Sequence, residues 1–173
     1  KTNRTQQVNQ MDTGITLNPE RRAAMVESGA WNDKRITDYL DQAVASTPDR
    51  EAIVGYQVTS DTRTALTYRQ LNNKVTRMAA GLAGMGIGKG DVVACQLPNW
   101  WQTTALHLAC MRIGAILNPL MPIFRERELR FMLKHGEAKL LVIPKVFRGF
   151  DYEAMIDGIR GELPDLETLL GIG

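Results

Sequence analysis

The chain of 173 residues carries 21 Lys and Arg against 19 Asp and Glu, is 44% hydrophobic and 23% charged, and contains two cysteines. That balance suits one globular domain with a real core, and it excludes whole-chain disorder, a disulfide scaffold and a nucleic-acid binder with a concentrated basic face. No apolar run approaches the roughly 20 residues of a membrane helix, and Cys95 and Cys110 lie in apolar stretches that suit a reducing cytoplasmic setting. Residues 1–14 are polar and aperiodic and read as an arm. A short helix is expected from Asn18 (cap) and Pro19 to about Gly29, and a second from Thr37 to Ser46 with Ile36, Leu40, Ala43 and Val44 as its apolar stripe. From Glu51 the period changes to that of strands, and EAIVGYQV, TSDTRT and ALTY predict a hairpin. Thr67 and Gln70 have the spacing of a capping box for a helix reaching about Gly86, with Leu71, Val75, Met78, Ala79 and Leu82 facing a core.

Beyond this point strands and helices alternate. A strand is expected over Asp91–Leu97, then a helix opened by Pro98-Asn99 and closed near Gly114, with Asn99 as its cap and Gln102 three residues on. Further elements follow over Ala115–Leu120 (strand), Arg125–His135 (helix), Ala138–Pro144 (strand), Tyr152–Arg160 (helix) and Leu166–Ile172 (strand). The alternation predicts an α/β fold: a doubly wound, mostly parallel sheet flanked by helices, with a small N-terminal helical and hairpin extension. Residues 15–173 are expected to form this domain, and the chain starts at Lys1 rather than Met and stops in apolar sequence, as a piece of a longer polypeptide would.

Several chemical readings fail on spacing or polarity. The glycines at 81, 84, 86, 88 and 90 follow a helix and precede a strand, the reverse of a phosphate-binding loop, so they read as a helix end and a turn. His107 lacks ligating partners one helical turn away, and His135 ends a helix where its charge suits the dipole. Arg125, Arg127, Arg130 and Lys134 alternate with Glu126 and Glu128 and read as a salt-bridged, solvated face. Trp100 and Trp101 are the more informative pair. They open a helix just after a strand, where open α/β sheets bind ligands, and adjacent helical positions cannot face one way. One is expected to pack inward and the other to line a groove.

The ordered series of landmarks from Leu66 to Val142 resembles the N-terminal region of the AMP-forming acyl-CoA synthetases, the adenylate-forming ligases. It comprises a TY-x-x-L helix start at Thr67–Leu71, a glycine turn and strand at Gly86–Val93, and PN at Pro98–Asn99, followed by R-x-GA at Arg112–Ala115 and N-P-L-x-P at Asn118–Pro122. The upstream segment from Pro19 to Val54 is similar to the opening of the short- and medium-chain fatty-acid and cyclohexanecarboxylate CoA ligase branch. The resemblance implies a parent enzyme that uses ATP, Mg2+ and CoA to convert a small carboxylic acid into its acyl-CoA through an acyl-adenylate. It also implies that the phosphate loop, the magnesium motif and the catalytic lysine lie downstream of Gly173. Residues 1–173 are therefore expected to bind none of these and to be inactive alone, supplying support and part of a subunit interface compatible with a homodimer. Certain relatives place a basic residue after the second proline to touch a CoA phosphate. Ile123 stands there in this chain, and Arg125 is the nearest substitute. A stand-alone nucleotide- or CoA-binding module, or an interaction domain built on Trp100 and Trp101, are the competing classes.

Overall fold

The computed structural model describes residues 18–57 and 61–173, so the polar arm and the middle of the hairpin turn lie outside the described residues. Two short helices come first, α1 (Pro19–Glu27) and α2 (Ile36–Ser46). Asn18 caps α1 as its sequence position predicts, its Oδ1 accepting from the Glu20 and Arg21 amides at 2.9 and 3.1 Å. In α2 the expected stripe is shifted: Ile36 is exposed, and Thr37 is buried beside Leu40 instead. Antiparallel strands β1 (Glu51–Gln57) and β2 (Thr62–Thr67) form the hairpin, which leads directly into α3 (Tyr68–Gly84). The capping box is present. Thr67 Oγ1 accepts from Gln70 N at 3.3 Å, and Gln70 Oε1 accepts from Thr67 N at 2.9 Å.

The body of the chain is β3 (Val92–Cys95), α4 (Trp101–Ile113), β4 (Ile116–Pro119), α5 (Glu126–His135), β5 (Ala138–Pro144), a two-residue-per-strand hairpin β6 (Val146–Phe147) and β7 (Phe150–Asp151), α6 (Tyr152–Ile159) and β8 (Thr168–Ile172). Four strands make one parallel sheet in the order β4-β3-β5-β8. Successive residues point to opposite faces, as the strand period requires. Val93, Cys95, Leu140 and Val142 pack with α2, α3 and α4, whereas Val92, Ala94, Leu141 and Ile143 pack with α5 and α6. Helices therefore cover both faces, and the sheet is doubly wound as the sequence predicts.

Glycines at the bends behave as the punctuation they resemble. Gly86 and Gly90 have φ of +80° and +87°, and Gly114 closes α4 in the left-handed region at +76°. Arg112, near that end, binds Asp41 of α2 at 2.5 Å and Asn72 and Thr76 of α3 at 2.6 and 2.8 Å, tying three helices together.

Two expectations at element starts need correction. Asn99 does not cap α4. The chain makes a tight turn centred on it, closed by Trp100 N donating to Pro98 O at 2.6 Å, and the helix begins at Trp101 with Trp100 in the cap position and no side-chain cap. Arg125 likewise stands just outside α5, in extended backbone, with its amide donating to Glu128 Oε2 at 3.1 Å. The β6–β7 hairpin was not foreseen. Its turn residues Arg148 and Gly149 both have positive φ, +51° and +74°, the signature of a type I′ turn.

Candidate functional site at the carboxyl edge of the sheet

The strand order places a switch point between β3 and β5. The chain leaves β3 through α4 toward β4 on one side, returns through α5 to β5, and then moves outward through α6 to β8. At such a point the loops after the two central strands diverge, and the crevice outside their carboxyl ends is the favoured ligand position. Three helices, α4, α5 and α6, begin at this edge, so their positive ends face it.

The residues gathered here come from three loops. After β3 lies Gln96, fully buried, whose amide hydrogens are donated to Met121 O at 3.1 Å and Phe124 O at 3.0 Å. Its Oε1 is buried without a hydrogen-bond partner among the described residues. After β4, the segment 120–125 turns back on itself, and side chains engage the carbonyls of Met121, Pro122 and Phe124. Tyr152 Oη donates to Pro122 O at 2.9 Å, and Arg125 Nη1 donates to Pro122 O and Phe124 O at 2.7 and 2.9 Å. The Arg125 guanidinium lies 4.0 Å from the Phe150 ring centroid and 5.7 Å from that of Tyr152, a cation–π seat that fixes it while leaving it half-buried. After β5 come Lys145 and Arg148, both exposed, so the edge carries three cations around an aromatic floor.

The two tryptophans meet different neighbours. Both are half-buried and both pack on the core of the α3–α4 face. Trp100 meets Phe147 of the β6–β7 hairpin edge-on, with centroids 5.9 Å apart, and so stands at the switch point. Trp101 turns toward α3, where Lys74 Nζ sits 4.3 Å from its ring. A concavity of about 1280 Å3 lies elsewhere: it runs along the unpaired edge of β4 and the exposed side of α5, and neither tryptophan nor Arg125 lines it. Charged and polar groups of both signs line it, Lys89, Asp91, Asn118, His135, Glu137 and Lys139 among them.

Other groups singled out in the sequence are structural. His107 is exposed on α4, and His135 stacks on Phe131. Cys95 and Cys110 are buried, and burial pushes both thiols up, Cys110 to about 12. Among the described residues no three His, Cys, Asp or Glu side chains come together as a metal site. Gln96, Lys145, Arg148 and Phe150 escaped the sequence reading. Only Gln96 left a trace there, as the lone amide in an otherwise apolar buried run.

The AMP-binding enzyme family matches residues 40–170, and the chain belongs to that family. Its relatives include the medium-chain fatty-acid–CoA ligase of Escherichia coli K12, 34% identical over 162 residues that make up 94% of this chain and 28% of that protein. A salicylyl-CoA synthase/salicylate adenylyltransferase from a Streptomyces species is 33% identical, covering 85% of this chain and 26% of its own length. Among solved structures, a Mycobacterium tuberculosis fatty acyl CoA synthetase superposes with a TM-score of 0.66 at 26% identity, over 77% of this chain and 25% of its own. The chain thus spans little more than a quarter of the relatives it matches, in the N-terminal region that the sequence motifs indicate.

Among the described residues, no helix is long and apolar enough to cross a membrane.

Proposed function

We propose that the chain is the N-terminal part of an ATP-dependent carboxylic acid–CoA ligase with a fatty acid as substrate. In the first half-reaction a carboxylate oxygen attacks the α-phosphorus of ATP, the bond to the β-phosphate breaks, and acyl-adenylate and pyrophosphate result. In the second, the CoA sulfur attacks the acyl carbon, its proton is lost, and AMP leaves. The observation that carries the reading is the 34% identity across 94% of this chain to a medium-chain fatty-acid–CoA ligase.

Within that reaction the carboxyl edge is suited to polyanion binding rather than to bond making. Arg125 is held by Phe150 and two carbonyls, yet its Nε and Nη2 have no hydrogen bond among the described residues. Arg125 takes the CoA phosphate contact, with Lys145 and Arg148 adding positive potential. Trp100 walls the crevice, while Trp101 serves packing. Chemistry is left to residues beyond Gly173, and residues 1–173 alone catalyse neither step.

The test uses the full-length polypeptide that carries this chain, supplied with ATP, CoA and a series of straight-chain carboxylic acids. Acyl-CoA and AMP should form in equal amounts with short or medium chains. Arg125→Ala should raise the KM for CoA about tenfold, the size of one charge-assisted hydrogen bond. Failure to activate any carboxylic acid would overturn the reading.

A further inference from the structure

We propose that Gln96 is a positioning residue, whose buried side-chain amide locks the 120–125 loop in the shape that presents Arg125 at the carboxyl edge. The inference rests on the assignment of Arg125 to a CoA phosphate made above. Its own basis is the geometry around the amide.

Gln96 and Thr37 are the only fully polar side chains in the buried interior among the described residues, and Gln96 has no exposed surface at all. Its neighbours along β3 and after it, Ala94, Cys95 and Leu97, are apolar. A leucine or methionine would fill this position at lower desolvation cost, because burying an amide is unfavourable unless every polar atom is paired. Here the pairing is incomplete, since Oε1 has no partner among the described residues. The position is therefore poorly explained by stability. What the side chain does achieve is specific: Nε2 donates to Met121 O and Phe124 O, two carbonyls three residues apart in one loop.

Those two bonds set the loop's shape. The Phe124 amide donates to Met121 O at 3.1 Å, making the turn, and Gln96 grips both of its ends from beneath. Phe124 O is also one of the two carbonyls that hold the Arg125 guanidinium. The order of support runs from Gln96 to the turn, from the turn to the Phe124 carbonyl, and from that carbonyl to Arg125. Tyr152 steadies the third carbonyl, that of Pro122, from α6. Removing the Gln96 donor leaves both ends of the turn without their anchor, while the flanking attachment of Leu120 N to Cys95 O at 2.8 Å is untouched.

The variant Gln96→Met keeps volume and removes the donors. In the full-length protein it should raise the KM for CoA about tenfold with kcat falling less than twofold, whereas His107→Ala, on the exposed side of α4, should change neither. Gln96→Asn, an amide one methylene short, should fall between. Combined with Arg125→Ala, Gln96→Met should add less than twofold, because both act on one contact. Hydrogen exchange gives a readout independent of turnover: the Phe124 amide should exchange about tenfold faster in Gln96→Met, with β5 amides over 138–143 unchanged.

A normal CoA KM in Gln96→Met beside a raised one in Arg125→Ala would overturn the positioning role and leave the assignment of Arg125 standing. If Arg125→Ala itself leaves the CoA KM unchanged, the phosphate assignment is wrong and the positioning proposal falls with it. Faster exchange throughout β5 would also overturn the proposal, since Gln96 would then be an ordinary structural residue.

Discussion

The two cysteines show how environment decides what a side chain can do. Cys95 is raised by burial, against weaker opposing hydrogen bonds from the Leu97 backbone and Thr103. Cys110 is raised to about 12 by burial, with Cys95 nearby adding to it. A thiol is nucleophilic only as thiolate, so both should resist alkylation. Iodoacetamide at pH 8 should leave the Cys95 and Cys110 peptides unmodified in native protein and modify both in denaturant; rapid native labelling would contradict the burial. The pH dependence has a definite sign. Unfolded chains ionise these thiols from the ordinary value of 9.0 upward while the fold keeps them protonated, so their contribution is intact below pH 9 and lost as pH rises from about 9 toward 12. Arg112 is a second residue whose surroundings define it. Its links to Asp41, Asn72 and Thr76 join α2, α3 and α4, and Arg112→Ala should cost roughly 1–3 kcal/mol in denaturant unfolding. Neither its role nor that of Gln96 was legible in sequence, because both depend on partners that are distant along the chain.

Elements were more legible, and the reason is local. α3 announces itself by a capping box and an unbroken apolar stripe, both of which involve residues within a turn or two of one another. Thr67→Ala should accordingly destabilise by about 1 kcal/mol, measurable as a shift in the urea midpoint. The start of α4 misled because Asn99 has the right residue type and spacing for a cap, yet the Pro98 carbonyl captures Trp100 N and Thr103 Oγ1 and moves the helix start one residue on. The β6–β7 hairpin was missed because its strands are only two residues long and an arginine occupies a position that Asn would normally fill. Arg148 sits in the left-handed region at some conformational cost. Arg148→Asn should therefore stabilise the protein by roughly 0.5–1 kcal/mol and at the same time weaken CoA binding. A variant that loses stability while CoA binding is unaffected would contradict both halves of that expectation.

At the scale of the whole molecule, the strand order β4-β3-β5-β8 determines which loops meet at one edge of the sheet. Two core layers, one under α2, α3 and α4 and the other under α5 and α6, hold the sheet rigid. The loops that leave its carboxyl edge then carry Gln96, Trp100, Arg125, Lys145, Arg148 and Phe150 to one place. The sequence motifs made the family and the doubly wound sheet legible, since strand and helix periods alternate from Asp91 onward. They did not show which edge residues converge, because that depends on a crossover that periodicity does not encode. The groove along β4 and α5 offers a competing location. Hydrogen exchange of the full-length protein with and without saturating CoA separates the two directly. The account predicts slowed exchange in segments 96–101, 120–126 and 145–151. Protection confined to 89–92, 116–119 and 131–139, with the carboxyl edge unchanged, would contradict it.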